Sequence, residues 1–509
     1  MPRLKSVISL SKICVDFILD NENDFRKKVG TDSPNLGKNT SSPFEHLPTV
    51  VLEELAKEFR EKLNKYSSSI NKEALKFVEL MITPHLQTLD LRWWRGNINV
   101  LRLAGLKIPD LKTLVLGYSS DSKYYGEFLN CIPKFSKLQF LELSFSGAGD
   151  DCLKLLGTYC TELRKLYAGY SDVSDDGIRG LCVVGNCKSI CALVLEGSKV
   201  TTKGIQLALS NLPDLQVLYH TSVLECLAEI AQKAGDEKRL NMHKYSLSSL
   251  YILENTIYKS QSLELSVLLC PKITKVHIIW REGRLTDADL LSLRSLENLK
   301  TLEIHHKAFL PRKQGEALVV DEGLTFQGGV APLLQTVGTT LKKLNLKGLF
   351  YNVDIQAIIE SCPNLQSLTV SVQRLTTTWS KSEEMPTRNP VSDQLAFLDL
   401  YGSVTTENLV ALLSSPSLAH VRLSNCPALT DEILHGAARQ HSFRKLEYFK
   451  LYHCPSVSKK GIDILFQNTN LLKEIHLAWC ERIKHKDWIT WKELLDKHNW
   501  DLLLSHQLF

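Results

Sequence analysis

Residues 418–434 read LAHVRLSNCPALTDEIL, and the architecture of the chain can be worked out from this stretch. Leu418, Val421 and Leu423 alternate with polar residues at the end of the triplet. That is the pattern of a short strand with one buried face, because successive side chains point to opposite sides. Thr430-Asp431-Glu432 then supplies a hydroxyl cap and an acidic first turn, the mark of a helix start, and Ile433-Leu434 opens its apolar stripe. A strand, a corner and a helix of this size cannot bury their own apolar faces, so such a unit needs copies of itself stacked on either side.

Those copies are present. The spacing L-x-x-L-x-L, with Ile, Val, Ala, His or Phe sometimes standing for Leu, recurs fifteen times. It runs as Leu86/Leu89/Leu91, Leu111/Leu114/Leu116, Leu138/Leu141/Leu143, Leu163/Leu166/Ala168, Ile190/Leu193/Leu195 and Leu215/Leu218/His220. It continues as Leu247/Leu250/Ile252, Ile273/Val276/Ile278, Leu299/Leu302/Ile304, Leu341/Leu344/Leu346 and Leu365/Leu368/Val370. Leu395/Leu398/Leu400, Leu418/Val421/Leu423, Leu446/Phe449/Leu451 and Leu472/Ile475/Leu477 complete it. The first five steps are 25, 27, 25, 27 and 25 residues. This pattern resembles the leucine-rich repeats, and NCPALTDEIL and HCPSVSKKGI resemble their cysteine-containing subclass, common in ubiquitin-ligase adaptors. The expected fold is α/β: a right-handed leucine-rich-repeat solenoid, or horseshoe, over 86–480. Its parallel sheet lines the concave face, its helices lie outside, and a small helical N-terminal region precedes it.

The period stretches in three places. GDEKRLNMHKYS ends the long step before Leu247, and polar, Pro-punctuated insertions fall within 305–340 and 371–394. After the last triplet, Trp488, Trp491, Leu494, Leu495, Trp500, Leu502 and Leu503 recur at roughly helical spacing, so 481–509 is expected to be a helical cap closing the core.

Bulk composition excludes several function classes. Lys and Arg total 61 against 56 Asp and Glu, too small an excess for a nucleic-acid or anionic-membrane partner. No run approaches the length of a membrane span. Lys12 and Asp16 interrupt the apolar N-terminus, which is therefore not expected to be a signal peptide; a cytoplasmic or nuclear setting is expected, and the sequon Asn39-Thr40-Ser41 then receives no sugar. Thirteen cysteines include no CxxC pair. Cys160, Cys187, Cys270 and Cys362 each precede a triplet by three residues, whereas Cys426, Cys454 and Cys480 each follow a triplet's start by eight. They are expected to be reduced corner residues, neither disulfides nor metal ligands.

Before the repeats, residues 1–26 and 47–85 are expected to be helical, joined by a flexible linker over 27–46. Here the chain resembles the elongin-binding substrate adaptors of cullin ubiquitin ligases. Their elongin box begins Ser/Thr-Leu, with Cys four residues on and an aliphatic residue four beyond; Ser9, Leu10, Cys14 and Ile18 match. Their cullin-2 box is matched by Leu47, Pro48 and Val51. The layout most resembles the Zyg eleven/Zer one-like proteins, without their armadillo-type module. The resemblance implies a non-catalytic adaptor that binds elongin C, in its complex with elongin B, and cullin-2, with Leu10, Cys14 and Ile18 as i, i+4, i+8 anchors in a groove. Two alternatives stand beside it. Leu47-Pro48 with Leu52, Leu55 and Phe59 also resembles the start of an F-box, which binds Skp-type linkers of cullin-1 ligases, and a plain interaction scaffold needs neither partner.

No phosphate loop, HExxH or GxSxG occurs, so no catalytic residue, cofactor or metal is expected. His305-His306 is taken as a surface pair at a strand end. The residue between the second and third apolar positions should face away from the core. That column reads Asp90, Val115, Glu142, Tyr167, Val194, Tyr219, Tyr251, His277, Glu303, Asn345, Thr369, Asp399, Arg422, Lys450 and His476. Tyr and Arg are enriched in binding hot spots, so Tyr167, Tyr219, Tyr251, His277, Arg422, Lys450 and His476 are the expected substrate contacts. Tyr401 and Tyr452 lie near the basic end, where a segment with acidic character is expected to dock.

Overall fold

A computed structural model describes residues 9–28, 42–66, 72–92, 98–116, 122–233, 244–280, 285–306, 323–348, 353–371, 393–402, 404–441, 443–467 and 470–507. Most of the expected linker, the sequon, residues 307–322 of the first long insertion and nearly all of the second lie outside the described residues. The chain forms two compact units, Val7–Leu247 and Ser248–Phe509.

The N-terminal unit opens with four helices: α1 (Leu10–Asp20), α2 (Glu22–Lys28), α3 (Thr49–Tyr66) and α4 (Lys72–Met81). Six strands follow, β1 (Thr88–Asp90), β2 (Thr113–Val115), β3 (Phe140–Glu142), β4 (Lys165–Tyr167), β5 (Ala192–Val194) and β6 (Val217–Tyr219), all parallel and in chain order. The second Leu of each triplet is in register with the next, from Leu89 to Leu218, and every one is buried. Helices or helical turns join the strands on the other side of the core, as in the helix Thr202–Asn211 with buried Ile205, Ala208 and Leu209.

The C-terminal unit carries ten parallel strands in chain order: β7 (Ser249–Ile252), β8 (Lys275–Trp280), β9 (Thr301–His306), β10 (Lys343–Lys347), β11 (Ser367–Ser371), β12 (Phe397–Tyr401), β13 (His420–Ser424), β14 (Tyr448–Tyr452), β15 (Glu474–Ala478) and β16 (Leu503–Gln507). The expected triplet register holds from Leu250 through Ile475. The leucine-rich-repeat solenoid fold is thus present in both units. One expectation is corrected. The helix after the last triplet stops at His498, because Asn499 turns left-handed at φ 51°, and residues 503–507 then pair with β15 as a sixteenth strand. Trp488 and Trp491 cover the core as expected of a cap, each 1% exposed.

Three recurring devices make neighbouring units cohere. The first is a carboxylate ladder. Asp431, at a helix start, accepts Ser458 N–H at 2.8 Å and Ser458 O–H at 2.6 Å, and Ser458 caps the next helix. Asp150 does the same to Ser174, Asp175 to Thr201 and Asp287 to Thr325. Each carboxylate lies against a glycine of the next helix; a Cβ on Gly461 would sit 2.4 Å from Asp431 Oδ1. The repeated Ser/Thr-x-x-Gly in SDDG, TTKG and SKKG therefore has a cause.

The second device is a left-handed corner seven residues after a triplet begins, at Phe145, Tyr170, Gly197, Gly348, Gly402, Asn425, His453 and Trp479. For a bulky residue this conformation costs about 1–2 kcal/mol. Stacking offsets some of it, as Phe145 and Tyr170 stack at 4.5 Å and His453 and Trp479 at 4.8 Å. The third device is cysteine. Cys187 Sγ lies 3.0 Å from Cys160 O and Cys426 Sγ 3.2 Å from Gly402 O, so buried thiols spend their weak donor on the preceding unit's backbone. Burial pushes the Cys160 and Cys426 thiols up to about 12, and all thirteen cysteines are free.

Candidate docking surfaces

Helix α1 has one anchored face and one bare face. Ser9 caps it, accepting Lys12 N–H at 3.1 Å. Val15, Ile18 and Leu19 are buried. Ser11 Oγ donates to Glu54 at 2.7 Å, and Lys12 Nζ bridges Glu58 at 2.7 Å and Asp16 at 2.8 Å. Asp16 and then Glu58 raise the Lys12 pKa. Lys62 of α3 donates to Leu19 O at 2.8 Å. Helix α3 itself is fixed by Leu52, Leu55 and Phe59, all fully buried, with Phe59 against Phe77 of α4 at 4.6 Å.

The opposite face of α1 presents Leu10 (77% exposed), Ile13 (50%), Cys14 and Phe17 (62%). These are i, i+3, i+4 and i+7, one continuous apolar stripe, and among the described residues nothing covers it. Of the expected elongin-binding residues, Leu10 and Cys14 therefore face outward, Ser9 serves as the cap and Ile18 is turned into the protein at 8% exposure. Ile13 and Phe17, which the i, i+4, i+8 spacing passes over, complete the stripe. Helical spacing at 3.6 residues per turn was the signal that marks them. The cullin-box residues stand at the start of α3, where Pro48 O accepts the first helical bond from Leu52 N–H at 3.0 Å. Pro48 is exposed, Leu47 and Val51 are half-buried, and neighbouring Val50 is 75% exposed.

The second surface is the sheet face opposite the core. The expected column lies in unbroken register within each unit: Asp90 to Tyr219 in the first, Tyr251 to His476 in the second, where Ser505 of β16 extends it. Tyr167 packs edge-on against Phe140 at 5.1 Å. Over β12–β15 the five-residue strands add flanking side chains. Phe397, His420 and Tyr448 form one row, with His420 stacked on Tyr448 at 4.5 Å. Tyr452 lies 5.0 Å beneath the Arg422 guanidinium.

The basic end is less free than its composition implies. Lys450 Nζ pairs with Glu474 at 2.8 Å, Arg422 Nε stands 3.9 Å from Asp399, and His476 Nδ1 is 2.7 Å from Ser505 Oγ. Burial and then Lys450 hold the His476 pKa below its ordinary value. Arg422 remains exposed.

A third grouping was not expected. His277, Glu303 and His305 converge on the face of β8 and β9, within 4.8 Å of one another. The expectation that His305 forms a surface pair with His306 is corrected, since His305 stands beside a carboxylate instead. Glu303 lies two residues before it on the same strand face, and β8 brings His277 alongside. His306 points the other way and is buried against Trp280 at 4.2 Å.

No helix of the described residues is long and apolar enough to cross a membrane. No protein-family model matches the chain, and no curated protein matches its sequence. Solved structures similar to it include an internalin of Listeria monocytogenes, 16% identical with a TM-score of 0.33, covering 78% of this chain and 94% of that one. The yeast Rad7–Elc1 complex gives 14% identity and 0.36 over 95% of this chain and 96% of the other. The TLR13–ssRNA13 complex gives 12% and 0.35 over 83% of this chain and 55% of that one.

Proposed function

We propose that the chain is a non-catalytic substrate adaptor of a cullin-RING ubiquitin ligase of the elongin B–C/cullin-2 type. The observation that supports it is the bare stripe of Leu10, Ile13, Cys14 and Phe17 on a helix whose other face is bolted down by Glu54, Glu58 and Lys62. A rigid helix offering i, i+3, i+4 and i+7 apolar residues suits helix-in-groove recognition, and each large side chain fully buried contributes about 1.5–3 kcal/mol. The anchors are then Leu10, Ile13, Cys14 and Phe17, with Ser9 organising the helix start. Pro48, with Val50 and Val51 beside it, is the cullin-2 contact, elongin C taking α1. The Skp/cullin-1 alternative would draw on Leu52, Leu55 and Phe59, which are committed to the interior.

The substrate lies on the sheet face of the C-terminal unit, with Tyr401, Tyr448, Tyr452 and Arg422 as its main contacts and Tyr251 as a secondary one. The adaptor supplies proximity to an enzyme and no catalytic group of its own. Affinity purification from the protein's own cells, read by mass spectrometry, tests this. Recovery of elongins B and C with cullin-2 is expected, and their loss in Leu10→Ser. Recovery of a Skp-type linker with cullin-1, or of no ligase subunit, overturns it.

A further inference from the structure

Pairing of β8 with β9 places His277 directly opposite Glu303, and His305 stands two residues further along β9 on the same face. Strands about 4.8 Å apart with a same-face repeat of about 6.6 Å make these three positions a compact triangle. The rings of His277 and His305 meet edge-on at 5.0 Å, and His305 Nε2 is 3.9 Å from Glu303 Oε2. Nε2 of both histidines is shielded from solvent and has no hydrogen-bond partner among the described residues. A buried polar nitrogen left unsatisfied is costly, so two beside one carboxylate call for a ligand.

We propose that His277, Glu303 and His305 bind a divalent transition-metal ion, with Zn2+ the best fit. Two imidazole nitrogens and one carboxylate oxygen form a donor set that zinc takes where a fourth position stays open. Calcium and magnesium prefer oxygen donors throughout and do not fit. A tetrahedral ion with bonds of about 2.1 Å holds its donors about 3.4 Å apart, so the three side chains close by about 1 Å, a rotamer-scale movement. Glu303 is already held by neighbours: Lys343 Nζ lies 2.7 Å from Oε1, and Asn345 Nδ2 donates to Oε2 at 3.4 Å. These orient the carboxylate as outer partners do, although the Lys343 charge opposes the cation. The open position faces away from the core, where water or a donor from a bound protein segment can complete the shell.

The test uses the full chain, stripped of metal by chelator and titrated with Co2+ and then Zn2+. One equivalent of Co2+ should give visible bands of a nitrogen/oxygen site with no thiolate charge-transfer band, and Zn2+ should displace it. His277→Ala and His305→Ala should each weaken binding by more than about tenfold, since loss of an outer partner of a ligand alone costs about 10–100-fold. Both variants should unfold like the wild type without metal. Lys343→Gln, which keeps the donors and removes the opposing charge, should tighten binding severalfold. Absence of binding, a thiolate band, or wild-type affinity in both histidine variants overturns the assignment.

Discussion

The two units use one core recipe and display two different faces. In the N-terminal unit β1–β6 are each three residues long, whereas β7–β16 run from four to six. A three-residue strand such as β3 shows two side chains on the face opposite its core, Phe140 and Glu142. A five-residue strand such as β12 shows three: Phe397, Asp399 and Tyr401. The His305 corner of the His277–Glu303–His305 triangle and the outer tyrosines Tyr401 and Tyr452 depend on that added length. The triplet sets the core, and the length of strand around it sets how much surface a unit offers. The longer strands and their aromatic faces fall on the C-terminal sheet, and the bare-faced helix α1 belongs to the N-terminal unit.

If the core recipe is shared, equivalent core truncations should cost the same in both units. Leu166→Ala and Leu451→Ala, both fully buried, should each lose about 2–5 kcal/mol in denaturant unfolding. A near-neutral result in one unit breaks the comparison. The carboxylate ladder should come next. Asp175→Ala and Asp431→Ala each strand the next helix cap and should cost about 2–3 kcal/mol, with faster amide exchange confined to the following unit.

Glycines sharpen it further. A Cβ on Gly197, at φ 69°, would meet the Tyr170 ring at 2.5 Å, so Gly197→Ala should cost about 1–2 kcal/mol. Gly436, within the helix Asp431–His441, has open space around it, and Gly436→Ala should gain about 0.5–1 kcal/mol.

The smallest difference concerns pH. Burial holds His420, His476 and His506 of the C-terminal unit below the ordinary 6.5, and His220 of the N-terminal unit likewise. A histidine depressed by folding stabilises fully above its unfolded pKa, and that contribution is lost as pH falls through the folded value. Between about pH 8 and about pH 5 the C-terminal unit should therefore lose more amide protection than the N-terminal one. Equal losses would remove the distinction.

Most of the fold was legible because burial repeats. Leu, Val and Ile at fixed spacing have one explanation, and the fifteen expected strands formed, in the expected register within each unit. The last strand escaped because Leu502 and Leu503 continue an apolar spacing that the Trp residues begin, and nothing local except Asn499 marks the break. The docking stripe was half legible. Leu10 and Cys14 face out, but Ile18 shares the buried side with Val15 and Leu19, a distinction set by where α3 lies and invisible from spacing by eights. The histidine triangle was half legible, because the face column already sets His277 beside Glu303, whereas His305 lies outside that column. The pairing of Lys450 with Glu474 was hidden, since charge counted down one column ignores the column beside it.

The central claim is that the bare face of α1 is a docking site for elongin C, built independently of the solenoid's stability. Titration of the purified chain with elongin B–C complex, comparing wild type with the double variant Leu10→Ser/Phe17→Ser, tests it most directly. The expected result is saturable binding by wild type and an affinity loss of at least about a hundredfold in the variant, about 2.7 kcal/mol, with unchanged thermal unfolding. No binding by wild type, or equal binding by the variant, would contradict the claim.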